Sequence, residues 1–491
     1  MLNKNFKRKL VKLYSVLAEE KPREIDELLT QVEVADIKES PLLNNIETNN
    51  NTSLEIKNRL NLPETEEFLS QIQISEIKDD APLEKISEVK SFPPKIERHV
   101  QLNPMRIALL SWESLHSISI GGIAVHVTEL ASALERKGHE VHVFTRMGRA
   151  DHAQYELIHG VNYHRVPYNG QSDFIEDVNS MCRSFVTSVF QTEDYMGAHF
   201  DIVHAHDWLT SNAMVWVKQG RGRKGIVTIH ATEYGRCGNN FYGGPSARIR
   251  DHERHATYCA DRVISVSGAL KNEVMWMYNV PDWKIHSIYN GVNCRHFDGF
   301  IDPGEVKRRY GVGPLDPMVL FAGRMTQQKG PDLLIEAVPA ILHHYHNAKF
   351  VFAGDGNLRG SVENRARQLG VSHATRFIGH QNAWSLRDLF RACECVCVPS
   401  RNEPFGIVIL EAWSAGKPVV ASEVGGPSEL LWHDVTGYKV RPEVNSIAWG
   451  LGTLFANFEH GRWMGRNGRA AVEKDFSWDV IADQTLGVYK S

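Results

Sequence analysis

The sequence predicts an α/β protein of two tandem Rossmann-like, doubly wound domains behind a polar N-terminal extension. Three observations predict it. From Met105 onward short apolar runs alternate with helical stretches, the pattern of a parallel sheet covered by helices. The alternation starts afresh at Met318. A chain of 491 residues is also too long for one ordinary core and divides into domains.

The extension, residues 1–100, is rich in Glu, Lys and Asn and carries 15 Lys/Arg against 19 Asp/Glu. Its segment Glu24 to Lys38 recurs as Glu64 to Lys78, identical at six of fifteen positions. Two copies of a docking peptide for a protein partner and a functionless solvated duplication are both open readings. Phe6, Leu10, Leu13, Tyr14 and Leu17 share one helical face, fit to dock on a partner, on an anionic membrane or on the protein's own surface. Phe92, Pro93 and Pro94 mark the linker.

The first domain is placed at residues 105–295. Arg106 to Ser111 reads as a buried strand, and Gly121 and Gly122 open a helix through Leu134 that Gly138 stops. Val141 to Thr145, Asp201 to His206, Gly225 to His230 and Arg262 to Ser267 read as further strands. The second domain is placed at residues 296–475. Its strands are read at Met318 to Gly323, Lys349 to Gly354, Thr375 to Gly379, Cys393 to Val398 and Pro418 to Ser422. Residues 476–491 are expected to form a C-terminal helix crossing back to the first domain. Two such units imply a cleft between them, a favoured place for a ligand.

Composition narrows the class. The net charge of −4 implies no general attraction to nucleic acid, and no run reaches the roughly 18–20 apolar residues of a membrane span. Seven cysteines lack the spacing of a secreted framework, so a cytoplasmic protein is expected. Cys393, Cys395 and Cys397 would share one strand face as buried reduced thiols.

The most informative stretch is Glu403 to Glu411. Glu403 sits in a loop with Pro404 and Gly406, and a helix begins at Ile407 and closes at Gly416. One carboxylate therefore precedes the helix and the other lies about one turn inside it. Helix N-termini attract phosphate, whereas carboxylates added there suit the hydroxyls of a sugar or a ribose. Gly323 to Gly330 follows a strand and precedes a helix, offering Arg324 and Lys329. A forked guanidinium and a compact ammonium at that point would neutralise a departing diphosphate. Plainer readings stand beside these. His204 and His206 are read as strand residues without a metal role, Asp207 as a helix cap, and Glu233 and Arg236 as a mutual pair. His343, His344 and His346 are read as solvated on a surface helix, and Gly354 to Gly356 as a turn.

In the order Gly121-Gly122, His204 to Trp208, His230 to Arg236, Asn290 to Val292, Arg324, Lys329, Glu403 and Glu411, residues 105–490 resemble GT-B glycosyltransferases of family 4 and their glycogen and starch synthase relatives. The resemblance implies that Gly121 and Gly122 let the backbone approach the donor phosphate. It further implies that Arg324 and Lys329 bind the diphosphate, Glu403 with Phe405 and Gly406 faces the transferred sugar, and Glu411 holds the ribose. His230 would lie beside the sugar, with Asp207 and Asn290 as additional contacts. Such enzymes retain the anomeric configuration through same-face attack and an oxocarbenium-like state, so Glu403 is not a glycosidase-type nucleophile. No Asp-x-Asp occurs, which fits a mechanism where the two cations replace a metal, with no cofactor required. The expected reaction is glucosyl transfer from UDP-glucose or ADP-glucose to an α-glucan. Ser114, Leu115 and His116 depart from the glucan synthase pattern, which leaves open a family 4 transferase for a small glycoside, a cell-envelope glycan or a lipid-linked sugar. A scaffold with a non-catalytic sugar-nucleotide domain is the alternative of another class.

Overall fold

The computed structural model describes residues 103–119, 121–149 and 151–491. The expectations for the N-terminal extension, its repeat and its first helix fall outside the described residues.

The first half runs β1 (Arg106–Ser111), α1 (Gly122–Arg136), β2 (Glu140–Arg146), β3 (Tyr155–Ile158), β4 (Val161–Val166), α2 (Phe174–Met196) and β5 (Ile202–His206). It continues with α3 (Trp208–Arg221), β6 (Lys224–Ile229), α4 (Glu233–Arg236), α5 (Pro245–Cys259), β7 (Arg262–Ser265), α6 (Gly268–Tyr278) and β8 (Ile285–Ser287). These strands form one sheet in the order β3-β4-β2-β1-β5-β6-β7-β8. Every pair is parallel except β3 with β4.

The second half runs α7 (Pro303–Arg309), β9 (Met318–Ala322), α8 (Pro331–Leu342), β10 (Lys349–Ala353), α9 (Arg359–Gln368), β11 (Thr375–Gly379), α10 (Ala383–Ala392) and β12 (Cys395–Val398). After it come α11 (Ile407–Ser414), β13 (Val419–Ser422), α12 (Gly426–Leu430), β14 (Gly437–Val440), α13 (Val444–Ala456), α14 (Phe458–Asp475) and α15 (Trp478–Lys490). Its sheet is wholly parallel, in the order β11-β10-β9-β12-β13-β14. Two doubly wound domains are therefore present.

Local chemistry sets the boundaries. Asp173 caps α2 by accepting from the backbone N–H groups of Ile175 and Glu176, and Gly197 ends it at φ 61°. Pro331 opens α8 at a position where a helix needs no donor. The central strands β1, β5, β9 and β12 are buried along nearly their whole length, as strands covered on both faces must be. Helix α15 lies against the first half: Trp478, Ile481, Leu486 and Tyr489 join the apolar cluster of Ile107, Leu109, Val127 and Val143. Arg136 and Lys137 on that half pair with Asp479 and Asp483 at 2.7 and 2.6 Å.

Some expectations are corrected. Cys393 ends α10 as its cap and joins a different apolar cluster from Cys395 and Cys397, so the three do not share a strand face. All seven cysteines are free thiols. His343, His344 and His346 are exposed but lie beyond the end of α8. Among the described residues no helix is long and apolar enough to cross a membrane.

Strand order locates the openings. In the first sheet the chain winds outward from β1 to one side and from β5 to the other; in the second it does so from β9 and β12. Crevices form beyond the C-terminal ends of strands at such switch points. The loops that lead out there are Trp112 to Ser119, Asp207, Gly323 to Gly330 and Pro399 to Gly406.

Candidate functional site

The second-half crevice is built from the loops after β9 and β12. Lys329 ends a single helical turn, and its Nζ donates to Glu403 Oε1 and Oε2 at 2.9 and 2.7 Å. Ser400 Oγ donates to Glu403 Oε2 at 3.0 Å. Glu403 is only 6% exposed, and a buried carboxylate so paired stays in place. Its main chain is clamped as well, because Gly426 N donates to the Glu403 carbonyl at 2.9 Å. Gly425 approaches that carbonyl at φ 54°, so closely that a Cβ would collide with it.

Arg324 differs. It is exposed, and among the described residues its guanidinium has no hydrogen bond or ion pair. The turn at Gly354 to Gly356 braces its loop: Gly323 N donates to Ala353 O, Met325 N to Asp355 O and Leu358 N to Met325 O, at 2.8–3.0 Å. That turn is thus a support. Phe405 is buried, Gly406 enters α11 at φ 95°, and Glu411 is half-buried one turn along α11. The Glu411 carboxylate has no hydrogen-bond partner among the described residues, and desolvation pushes it up to about 7.

The first-half crevice holds the other singled-out residues. Gly121 N donates to Glu113 Oε2 at 2.9 Å, and a Cβ built on Gly122 would meet nothing within 4 Å. Asp207 precedes α3 but does not cap it. Its backbone is held at φ 59°, a costly conformation for a non-glycine residue, and Oδ1 instead accepts from His230 N at 2.6 Å. Burial raises the Asp207 carboxyl, an effect the Arg236 guanidinium partly offsets. His230 stands just past β6, and desolvation drives its imidazole down to about 3, so it is neutral near pH 7. Asn290 is buried, and its Oδ1 lies 2.7 Å from His126 Nδ1.

The loop after His230 is fixed from behind. Arg236 pairs with Glu233 at 3.0 Å and with the fully buried Glu253 at 2.5 Å. Glu253 accepts also from Glu233 N and from the Tyr278 hydroxyl. Glu233 and Arg236 are therefore mutual partners, as the plain reading has them.

The structure brings Lys329 to Glu403, and Asp207 to His230. It gives the side chains of Arg324 and Glu411 no partner among the described residues, and it gives Asn290 to His126. Sequence reasoning passed over three residues. His126 lies within α1, where a histidine on an apolar face reads as core. Glu429 crosses between the halves: its Oε2 accepts from Gly268 N at 2.9 Å and from Tyr289 OH at 3.1 Å, and its Oε1 from Ala269 N. The carboxylate thus caps the N-terminus of α6 from the other half. Asn402 also crosses, donating to Asn239 Oδ1 at 2.8 Å. Only the Glu-after-Gly-Gly-Pro-Ser spacing signalled Glu429, and nothing local signals Asn402.

Comparison with known proteins matches both halves. Residues 120–296 match Glycosyltransferase Family 4 and residues 305–471 match Glycosyl transferases group 1. The chain is similar to an uncharacterised glycosyltransferase of Methanocaldococcus jannaschii, 39% identical over 79% of this chain and 98% of that protein. It is 28% identical to a glycogen synthase of Mycobacterium tuberculosis, over 78% of this chain and 94% of that one. It is 30% identical to a D-inositol 3-phosphate glycosyltransferase of Actinosynnema mirum, over 75% and 92%. Among solved structures, a sucrose-phosphate synthase from Thermosynechococcus elongatus superposes with a TM-score of 0.67 at 23% identity, over 79% of this chain and 98% of that one.

Proposed function

Because the chain belongs to the GT-B glycosyltransferases of family 4, we propose that it is a retaining hexosyltransferase using a nucleotide-diphosphate sugar. The glucosyl donor is UDP-glucose or ADP-glucose, and the acceptor is an α-glucan. The observation that carries this reading is the Lys329–Glu403 pair at the switch point of the second sheet. It sets a fixed cation beside a fixed carboxylate, with an exposed guanidinium nearby in sequence and an unpartnered carboxylate along α11.

Each group then has a role. The guanidinium of Arg324 and the ammonium of Lys329 receive the diphosphate, and their charge is worth most as the leaving-group charge develops. Glu403 keeps Lys329 oriented and accepts from hydroxyls of the transferred sugar. Glu411 accepts from the ribose hydroxyls, and Phe405 and Gly406 shape the backbone between the two. Gly121 and Gly122 leave room for the phosphates from the opposite half. Neutral His230, with its backbone N–H held by Asp207, lies beside the sugar, and Asn290 borders it. The two cations supply the charge neutralisation that a metal gives elsewhere, so turnover needs no added metal.

The glucan assignment is supported by the likeness to a glycogen synthase. The likeness to a D-inositol 3-phosphate glycosyltransferase favours the second reading, transfer to a small phosphorylated alcohol. Nucleotide release from UDP-glucose and ADP-glucose, measured with maltoheptaose, with inositol 3-phosphate and with neither, decides between them. Stimulation by maltoheptaose supports the first reading; stimulation by inositol 3-phosphate alone replaces it with the second.

A further inference from the structure

Three imidazoles converge in the first half. His126 comes from α1, His206 from the end of β5 and His230 from just past β6. One ring nitrogen from each lies within 4.8 Å of the other two, the only such group of three among the described residues. His206 Nδ1 and His230 Nε2 are 3.2 Å apart. Two zinc–nitrogen bonds of about 2.0–2.1 Å in a tetrahedral site hold their nitrogens about 3.3 Å apart. This edge therefore already has the span of a shared cation.

The orientation of His126 agrees. A carbonyl oxygen only accepts, so the contact with Asn290 Oδ1 at 2.7 Å places the His126 proton on Nδ1 and the lone pair on Nε2. Fixing the remote nitrogen on an amide oxygen is how metal-bound histidines are held. Moreover, His126 Nε2 is buried with no hydrogen-bond partner among the described residues. Buried polar atoms left so are rare, and an unoccupied ligand position is one of their causes. His126 and His206 are buried while His230 is half-buried, which gives an ion a way in past His230.

We propose that His126, His206 and His230 bind a borderline transition-metal cation of the zinc(II) type, and that the bound ion inhibits glycosyl transfer by engaging His230. Three neutral imidazoles with a fourth position open to water are an accepted zinc set. The inhibitory part rests on the placing of His230 beside the sugar; the metal binding does not.

The test uses the full-length protein, stripped with chelator and titrated with cobalt(II), then zinc(II). The expected result is one equivalent of cobalt giving the intense visible absorption of a tetrahedral nitrogen site, and its displacement by zinc. His206→Gln should weaken binding at least tenfold, with circular dichroism matching the wild type. Should that variant lose its fold, His126→Gln and the zinc-induced rise in wild-type Tm give the same reading. Failure of the wild type to bind cobalt stoichiometrically overturns the site, as does binding unaffected by either substitution. Donor turnover should fall with zinc in the wild type and resist it in His206→Gln. Stoichiometric binding without inhibition overturns the role of His230 as the point of control. A wild type inert toward every donor contradicts the proposed function and leaves the cobalt result standing.

Discussion

At the scale of residues, the bond between Lys329 and Glu403 is the one the proposed donor chemistry is built on. Lys329→Ala removes the cation proposed to meet the diphosphate and leaves a carboxylate that is 6% exposed without its charge partner. Kcat should fall by about 10²–10³-fold, and stability by about 3–5 kcal/mol; steady-state kinetics and thermal melts separate the two losses. Glu411 supplies a pH signature. Its carboxyl sits near 7 in the fold, above the ordinary value of 4.5, because burial disfavours the charged form. The folded state therefore holds an extra proton between those values, and stability declines as pH rises from about 4.5 to 7. Glu411→Gln should raise Tm at pH 8 and leave it nearly unchanged at pH 4.5. Ribose hydroxyls favour the anion, so the donor KM should fall as pH rises through 7 in the wild type and stay flat in Glu411→Gln. Both glutamates, Arg324 and Lys329 could be singled out as candidates because each lies in a short, compositionally marked stretch. The Lys329–Glu403 bond was not, since it spans 74 positions and no local pattern encodes a partner so distant. His126 was illegible for another reason: helical periodicity explains a buried histidine without any ligand.

At the scale of elements, the loops beyond the sheet switch points carry the candidate site, and their glycines set its geometry. Gly425 at φ 54° lies against the Glu403 carbonyl, where a Cβ has no room. Gly425→Ala should cost about 2–4 kcal/mol and raise the donor KM by displacing the Glu403 loop, while Gly370→Ala, at φ 71° with open space around it, should cost only about 1–2 kcal/mol. Urea unfolding of the two variants gives the comparison. The buried central strands were readable as continuous apolar runs. Strand β3 was missed because it is largely exposed, β8 because it spans only 3 residues, and β14 because Gly437 and Lys439 interrupt its apolar pattern. Strand β4 was missed because Asn162, His164 and Arg165 interrupt its apolar pattern. Cys393 was misplaced because period-two spacing looks the same whether or not the first residue still belongs to the preceding helix.

At the scale of the whole molecule, the second half returns a helix to the first. Trp478 is 4% exposed and lies against Gly291 and His126. Trp478→Ala should cost about 3–5 kcal/mol, and calorimetry should show the loss together with a rise in acceptor KM, because Gly291, which follows Asn290, and His126 adjoin that indole. Glu429 and Asn402 tie the two halves. Two domains and the glycosyltransferase family were legible from repeated strand–helix alternation and the ordered motifs. The ties between halves were not, because they are set by docking rather than by periodicity. The central claim is that Lys329 and Glu403 form the donor-activating pair of a nucleotide-sugar transferase. Its most direct test is nucleotide release from UDP-glucose and ADP-glucose by the wild type and Lys329→Ala, with maltoheptaose present. The account predicts acceptor-stimulated release by the wild type, reduced about 10²-fold or more by the substitution. Release by Lys329→Ala at the wild-type rate would contradict it.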